Sequence, residues 1–211
     1  MVNRSRYQVR NIAVRLRLVP YRPAVFSSQR WDELYRSDDS WIDRSGTLPA
    51  LAHYLVLAGY VGWIGRPSVL DLGCGEGLLR EHLDPRHFSG YVGVDPTAVA
   101  IERASALANE HTRFVLGDPL EASLEPADVV VCCEVLYHVA EPERLVERAI
   151  ALINPGGYLL TSIFHHAGAR SLWQHIDRRL VEVDAVELRN NVGGRRRWRV
   201  AMHQKSGEIV P

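Results

Sequence analysis

The sequence has one lysine, Lys205, against twenty-four arginines, three cysteines, and no formal net charge. Each shortage excludes something. With 25 basic and 25 acidic residues, the molecule as a whole has no field that would draw it to nucleic acid or anionic lipid. Cys74 stands alone and Cys132 and Cys133 are adjacent within an apolar run, a spacing that fits neither a zinc ligand set nor a disulfide framework. Reduced thiols in a cytoplasmic protein are therefore the expectation. No secretory hydrophobic segment and no uninterrupted apolar stretch near about 18 residues stands out, so no membrane span is expected. No period of about 20 to 50 residues recurs, which argues against a solenoid. The preference for arginine over lysine fits a GC-rich coding genome and hence a bacterial source.

What is present is ordinary for a globular chain. Apolar residues make up 46% and charged residues 24% of 211 positions, enough for one α/β core with a short extension. The charge is uneven: residues 1–30 hold seven arginines and no acid. Residues 1–48 are accordingly expected to form a basic arm with capping helices, residues 49–205 the main domain, and residues 206–211 a tail. Prolines at Pro20 and Pro23 interrupt the sustained amphipathicity of a transit peptide, so a loosely docked arm is the simpler reading.

Short apolar runs bounded by turn residues suit strands buried on both faces. Five occur: Ser68–Leu72, Tyr91–Asp95, Arg113–Leu116, Asp128–Cys133 and, after an Asn154-Pro-Gly-Gly turn, Tyr158–Ile163. Helices are predicted over Gly77–Leu83, Thr97–Glu110 and Pro142–Leu152 from apolar residues recurring on one stripe. Strict alternation of the two predicts a doubly wound, mostly parallel α/β sheet. Upstream, Trp31–Asp43 and Leu48–Gly62 read as helices. The second presents Leu51, Tyr54, Leu55 and Ala58, with Ser45 or Thr47 as its cap. Downstream, a helix over Ser171–Arg179 precedes strands Val181–Leu188 and Arg197–His203. Asn190–Gly194 joins those strands into an antiparallel hairpin.

The run Val69-Leu-Asp-Leu-Gly-Cys-Gly-Glu-Gly77 is an apolar strand ending in three spaced glycines that open a helix. Glycines there let backbone approach a nucleotide-like ligand where a side chain would clash. Asp95, at the next strand end, is placed to accept hydrogen bonds from both ribose hydroxyls. A dinucleotide oxidoreductase competes, but its fingerprint needs glycine at position 78, where Leu78 stands.

Five segments in this order carry a resemblance: the glycine run, Gly93-Val-Asp95, Gly117-Asp118, Glu134-Val-Leu-Tyr-His-Val139 and Asn154-Pro-Gly-Gly-Tyr-Leu-Leu160. Over about residues 49–203 the chain resembles the class I S-adenosylmethionine-dependent methyltransferases. The resemblance implies a Rossmann-like, seven-stranded sheet with a reversed last strand, and S-adenosyl-L-methionine as cofactor. It implies that Gly73, Cys74, Gly75 and Gly77 meet the methionine and ribose part, with Asp71 ordering the loop. Asp95 with Pro96 would hold the ribose, Asp118 with Pro119 would meet the adenine, and Glu134 would join the cofactor site. Asp-Pro pairs are also ordinary turn starters. More narrowly, Trp31-Asp-Glu-Leu-Tyr35, Arg44, Glu134–Tyr137, Trp173 and Trp198–Ala201 resemble small-molecule methyltransferases of the nodulation-factor and natural-product type. By that likeness Trp31, Tyr35 and Arg44 line the site, or else simply dock a helix.

Methyl transfer requires in-line alignment of the acceptor and, for an oxygen acceptor, removal of a proton. His138 is the first candidate base, because an unperturbed imidazole titrates near neutrality. Tyr137, His165 and His166 also fall beyond strand ends. His138 and Tyr137 have packing readings as well, and a neutral amine acceptor needs no strong base. The expected activity is transfer to an oxygen or nitrogen of a small molecule by a monomer or homodimer. A metal-assisted RNA 2′-O-methyltransferase is one alternative: Glu134 and His138 fit a Glu-x-x-Glu-His pattern with a later histidine, but Tyr137 replaces the second glutamate. No metal is expected. Arg195-Arg-Arg-Trp-Arg199 either meets RNA phosphate or ends a solvated hairpin with Trp198 turned inward. A catalytically silent cofactor-binding scaffold is the rival from another class.

Overall fold

The computed structural model describes residues 25–36, 48–190 and 196–206. Its strands are β1 (Ser68–Leu72), β2 (Gly90–Asp95), β3 (Thr112–Leu116), β4 (Ala127–Cys133), β5 (Ile153–Phe164), β6 (Val181–Asn190) and β7 (Arg196–Gln204). They form one sheet in the order β3-β2-β1-β4-β5-β7-β6. β1 to β5 run parallel, and β7 pairs antiparallel with both β5 and β6. This is the doubly wound sheet with a reversed last strand that the sequence predicts.

Strand composition explains the layering. Successive residues point to opposite faces, so a central strand must be apolar throughout. Leu70, Val130 and Leu159 pack on one face with Leu145, Val146 and Ala149 of helix α5 (Pro142–Ala151). Val69, Val129, Val131 and Leu160 pack on the other with Leu57 and Val61 of helix α2 (Leu48–Ile64). Each fully buried valine or leucine among these contributes about 1.5–3 kcal/mol of transfer free energy. The remaining helices are α1 (Ser28–Arg36), α3 (Leu78–His82), α4 (Ala98–Ala104) and α6 (Ala169–Asp177).

Several local expectations change. α2 buries His53, Leu57, Tyr60 and Val61, while Leu55, placed on the inner face by the sequence reading, is 52% exposed. α2 is apolar nearly all round, so its own pattern does not select a face. The sheet selects it, and the Tyr60 hydroxyl donates to Asp184 Oδ2 on β6 at 2.9 Å. The helix predicted to reach Glu110 ends at Ala104 and continues only as a 3₁₀ turn over Ser105–Leu107. There the Ser105 hydroxyl folds back to donate to the Ile101 carbonyl at 2.7 Å. Asn154-Pro-Gly-Gly is not a turn ahead of the strand but a bulge within β5, where the pairing steps from Ala127/Ile153 to Val129/Tyr158. Gly156 takes φ +75° in this bulge. Between β3 and β4 the chain crosses without a helix, so alternation is not strict. The arm up to residue 24, the caps Ser45 and Thr47, Arg44 and the hairpin tip at 191–195 lie outside the described residues. No helix of the described residues is long and apolar enough to cross a membrane.

Candidate active site

Ligands in open α/β sheets bind beyond the carboxyl ends of strands, where the strand order reverses. Here that reversal lies between β1 and β4. A cleft of about 440 Å³ opens there, bounded by residues following β1, β2, β3 and β4 and covered by α1. A smaller cavity of about 270 Å³ lies at the opposite end of the strands, beside Ser68, Gly90, Thr112 and Ala127, and contains none of the candidate residues.

The glycine turn is tied to β2 by its backbone. The Gly73 and Cys74 N–H groups both donate to the Val94 carbonyl, at 2.8 and 3.1 Å. Gly73 has φ +78°, and a Cβ there would stand 2.4 Å from Val135 Cγ2, so both conformation and space demand glycine. Gly75 donates its N–H to Asp95 Oδ2 at 3.0 Å, and a Cβ there would meet the Tyr35 hydroxyl at 3.0 Å. Gly73, Cys74 and Gly75 line the cleft, whereas Gly77 sits behind it, against Leu107 and Phe114.

Asp95 is only 7% exposed and lines the cleft. Besides Gly75, the Thr97 N–H donates to its Oδ1 at 2.9 Å. Each oxygen therefore takes one backbone donor, which fixes the carboxylate against the cleft. Burial raises the pKa of this carboxyl, while the Thr97 and Gly75 donors pull it down. Pro96 lies beside it, and Asp118 and Pro119 line the cleft further along. Asp118 accepts the Leu120 N–H at 2.9 Å, which fixes the loop after β3. Asp71 is buried beneath the turn, where its Oδ2 accepts the Tyr91 hydroxyl at 2.6 Å and its Oδ1 accepts none. Burial pushes its carboxyl up to about 7 despite the Tyr91 bond.

Glu134 stands at the end of β4 with φ +56°, an uncommon conformation for this residue type. Three elements hold its carboxylate. Ser162 donates to Oε1 at 2.7 Å, Trp198 Nε1 donates to Oε2 at 2.9 Å, and Tyr137 donates to Oε2. Burial brings the carboxyl up to about 6, and these bonds work in the opposite sense. Trp198 is thus turned inward, and its role as an anchor for Glu134 is not visible from the sequence.

His138 lines the cleft, with its ring perpendicular to Trp31 at 5.1 Å and beside Tyr137 at 4.4 Å. Tyr137 is buried and does not line the cleft. His165 is exposed and stands apart from the cleft, while His166 lies 5.4 Å from Tyr137. Trp31 and Tyr35 both line the cleft; Trp173 instead stacks on His203 away from it. Among the described residues, Asp177, Glu182 and His203 are the grouping that brings potential metal-ligand atoms within 4.8 Å, beside α6 and outside the cleft. Arg199 already pairs with Glu182 there.

α1 is fastened over the cleft by polar contacts. Asp32 accepts the Val99 N–H at 3.0 Å, and Arg103 donates to the Tyr35 carbonyl at 2.7 Å while pairing with Glu76. Phe26 and Tyr54 complete the aromatic lining; neither falls in a motif, and only their proximity in the fold identifies them.

Residues 29–204 match the profile of the methyltransferase domain family. The chain belongs to that family. This methyltransferase domain is 32% identical over 139 residues to a ubiquinone biosynthesis O-methyltransferase of Neisseria meningitidis, covering 60% of this chain and 58% of that protein. It is 36% identical over 99 residues to the protein of the same name from Coxiella burnetii, covering 44% of this chain and 42% of that one. The chain thus aligns with about half the length of these relatives. Among solved structures, the N-methyltransferase NodS from Bradyrhizobium japonicum with S-adenosyl-L-homocysteine superposes with a TM-score of 0.72 at 20% identity. That match covers 84% of this chain and 97% of NodS. The Burkholderia thailandensis 1,6-didemethyltoxoflavin-N1-methyltransferase gives 0.64 at 18% identity, over 89% of this chain and 94% of its own.

Proposed function

We propose that this methyltransferase domain transfers a methyl group from S-adenosylmethionine to an oxygen or nitrogen of a small-molecule acceptor. The observation that carries the reading is one cleft that joins the glycine turn and Asp95 to Glu134 and His138. Family membership and the named relatives support it.

The residues fit the cofactor. Gly73 and Gly75 leave space a Cβ would fill, the buried Asp95 carboxylate on the cleft wall would accept from the ribose hydroxyls, and Asp118, also on the lining, would accept from the adenine amino group. When bound, S-adenosylmethionine supplies an electrophilic methyl on a sulfonium. Trp31 and His138 orient the acceptor, so that its oxygen or nitrogen approaches in line. S-adenosylmethionine held by Gly73, Gly75, Asp95 and Asp118 would supply that methyl to the acceptor atom which Trp31 and His138 align. An acceptor hydroxyl passes its proton to His138 and then to water. Glu134, held from three sides, keeps the loop that carries His138 in place.

The metal-assisted RNA reading has less support, because three donors already hold the Glu134 carboxylate and His165 stands outside the cleft. A cytoplasmic location suits the three free cysteines, two of them buried. Calorimetric titration with S-adenosylmethionine and S-adenosylhomocysteine, followed by an acceptor screen with labelled donor, tests the proposal. Binding of both with methyl transfer is expected. No binding refutes the cofactor, and binding without transfer to any acceptor favours the silent scaffold.

A further inference from the structure

Two tyrosines line the cleft beside the glycine turn, Tyr35 from α1 and Tyr54 from α2. Among the described residues neither hydroxyl makes a hydrogen bond; Tyr35 uses only its carbonyl, which accepts from Arg103 at 2.7 Å. Arg103 also pairs with Glu76, the residue after Gly75, and so ties Tyr35 to the turn. The Tyr35 hydroxyl stands 3.0 Å from where a Cβ on Gly75 would lie. The Tyr54 phenol is within electrostatic reach of Cys133 and Glu134 at the end of β4, of Asp71 on β1, and of Tyr35 itself. Two partly buried polar groups from different helices thus converge on the cleft, each with a hydrogen bond left to make.

Strand order indicates which part of the cofactor they meet. Asp118 follows β3, Asp95 ends β2, the glycine turn follows β1 and Glu134 follows β4, and the four strands are neighbours in that order. Neighbouring strands lie about 4.8 Å apart. A cofactor with its adenine at Asp118 and its ribose at Asp95 would therefore extend its methionine end over β1 toward β4, where Tyr35 and Tyr54 stand. Burial raises both phenols above the range usual for tyrosine, helped by Asp95 and Glu76 for Tyr35 and by Cys133 and Glu134 for Tyr54. Each keeps its proton at neutral pH and is a donor, and a hydrogen bond to an ionised acceptor is of the stronger kind. Resting on the proposed cofactor, we infer that the Tyr35 and Tyr54 hydroxyls together bind the amino-acid end of S-adenosylmethionine by donating to its α-carboxylate.

Tyr35→Phe and Tyr54→Phe remove the hydroxyls and nothing else. In calorimetry on the full chain each is expected to weaken S-adenosylhomocysteine about tenfold. Two matched probes locate the loss: 5′-methylthioadenosine, which keeps the adenosine and the sulfur but lacks the amino-acid end, and decarboxylated S-adenosylhomocysteine, which lacks only the carboxylate. Measured by displacement, both are expected to bind either variant within about twofold of the parent. The chemical-denaturation midpoints are expected to hold, because no protein partner is lost. If either variant binds S-adenosylhomocysteine as the parent does, if the two probes weaken as much as S-adenosylhomocysteine, or if the midpoints fall, the inference is overturned. Failure of the parent to bind S-adenosylhomocysteine is a separate result and refutes the underlying cofactor reading instead.

Discussion

The half of the cleft proposed for the cofactor rests on backbone and short side chains at the ends of adjacent strands, whereas the half proposed for the acceptor is made of long side chains from distant segments. Gly73, Cys74 and Gly75 follow β1 directly, and β2 fixes them through Val94 and Asp95. Trp31 comes from the helix laid over the cleft and Phe26 from the residues just before it, His138 from the loop after β4, and the Trp198 that holds Glu134 from β7. Strand ends in a hydrogen-bonded sheet have little freedom to drift. The acceptor half depends on side-chain packing, so it has more freedom to vary while the fold stays the same.

Substitutions break this comparison in order of expected effect. His138→Ala is expected to lower turnover by about 10² to 10⁴ while leaving S-adenosylhomocysteine affinity within about threefold. Turnover with a labelled donor and calorimetry on the same variant measure the two; unchanged turnover removes His138 as base. Asp95→Ala leaves two backbone donors unanswered and takes two acceptors from the ribose. S-adenosylhomocysteine is expected to bind about 10²-fold more weakly, and a titration within threefold of the parent would detach Asp95 from the cofactor.

Glu134→Gln probes the seam between the halves. Its amide group would face a hydrogen-bond donor inside a closed network, which is expected to cost about 1–3 kcal/mol in chemical denaturation. Cofactor affinity is expected to fall only about three- to tenfold. An unaltered denaturation midpoint would show that the Ser162, Tyr137 and Trp198 contacts are dispensable.

The smallest effect is set by pH behind the acceptor half. His53 is buried with its ring 6.0 Å from Trp198, and burial lowers its pKa from the usual 6.5 to about 4. Between those values the unfolded chain binds the proton and the folded chain does not, so this residue's contribution is present above about pH 6.5 and lost as pH falls toward 4. From pH 6 to pH 5 the loss is about 1 kcal/mol. Asp71 and Glu134, with carboxyls raised to about 7 and about 6, act in the opposite sense. The informative measurement is therefore the difference between the parent and His53→Leu. That difference is expected to shift by about 1 kcal/mol in favour of the variant on acidification; a pH-independent difference refutes the depressed His53.

The five parallel strands and the glycine turn were legible because their causes are local. An apolar run buried on both faces announces a central strand, and Gly73 at φ +78° beside Val135 leaves no other residue a place. Asp95 was legible for the same reason, since its position follows from one strand ending beside another. The inner face of α2 was not legible, because an almost uniformly apolar helix has no pattern that selects Leu57 over Leu55. The length of α4 was also missed, because Ser105 turns back on the Ile101 carbonyl where an apolar stripe suggests continuation.

The sequence by itself therefore determined the five parallel strands and the glycine turn that follows the first of them, since short-range sterics and burial on two faces permit little else. Only the tertiary structure decided the other side of the cleft. Asp32 reaches Val99 across 67 residues and Trp198 reaches Glu134 across 64. Contacts over such separations follow from how whole layers pack, and no local spacing in the chain encodes them.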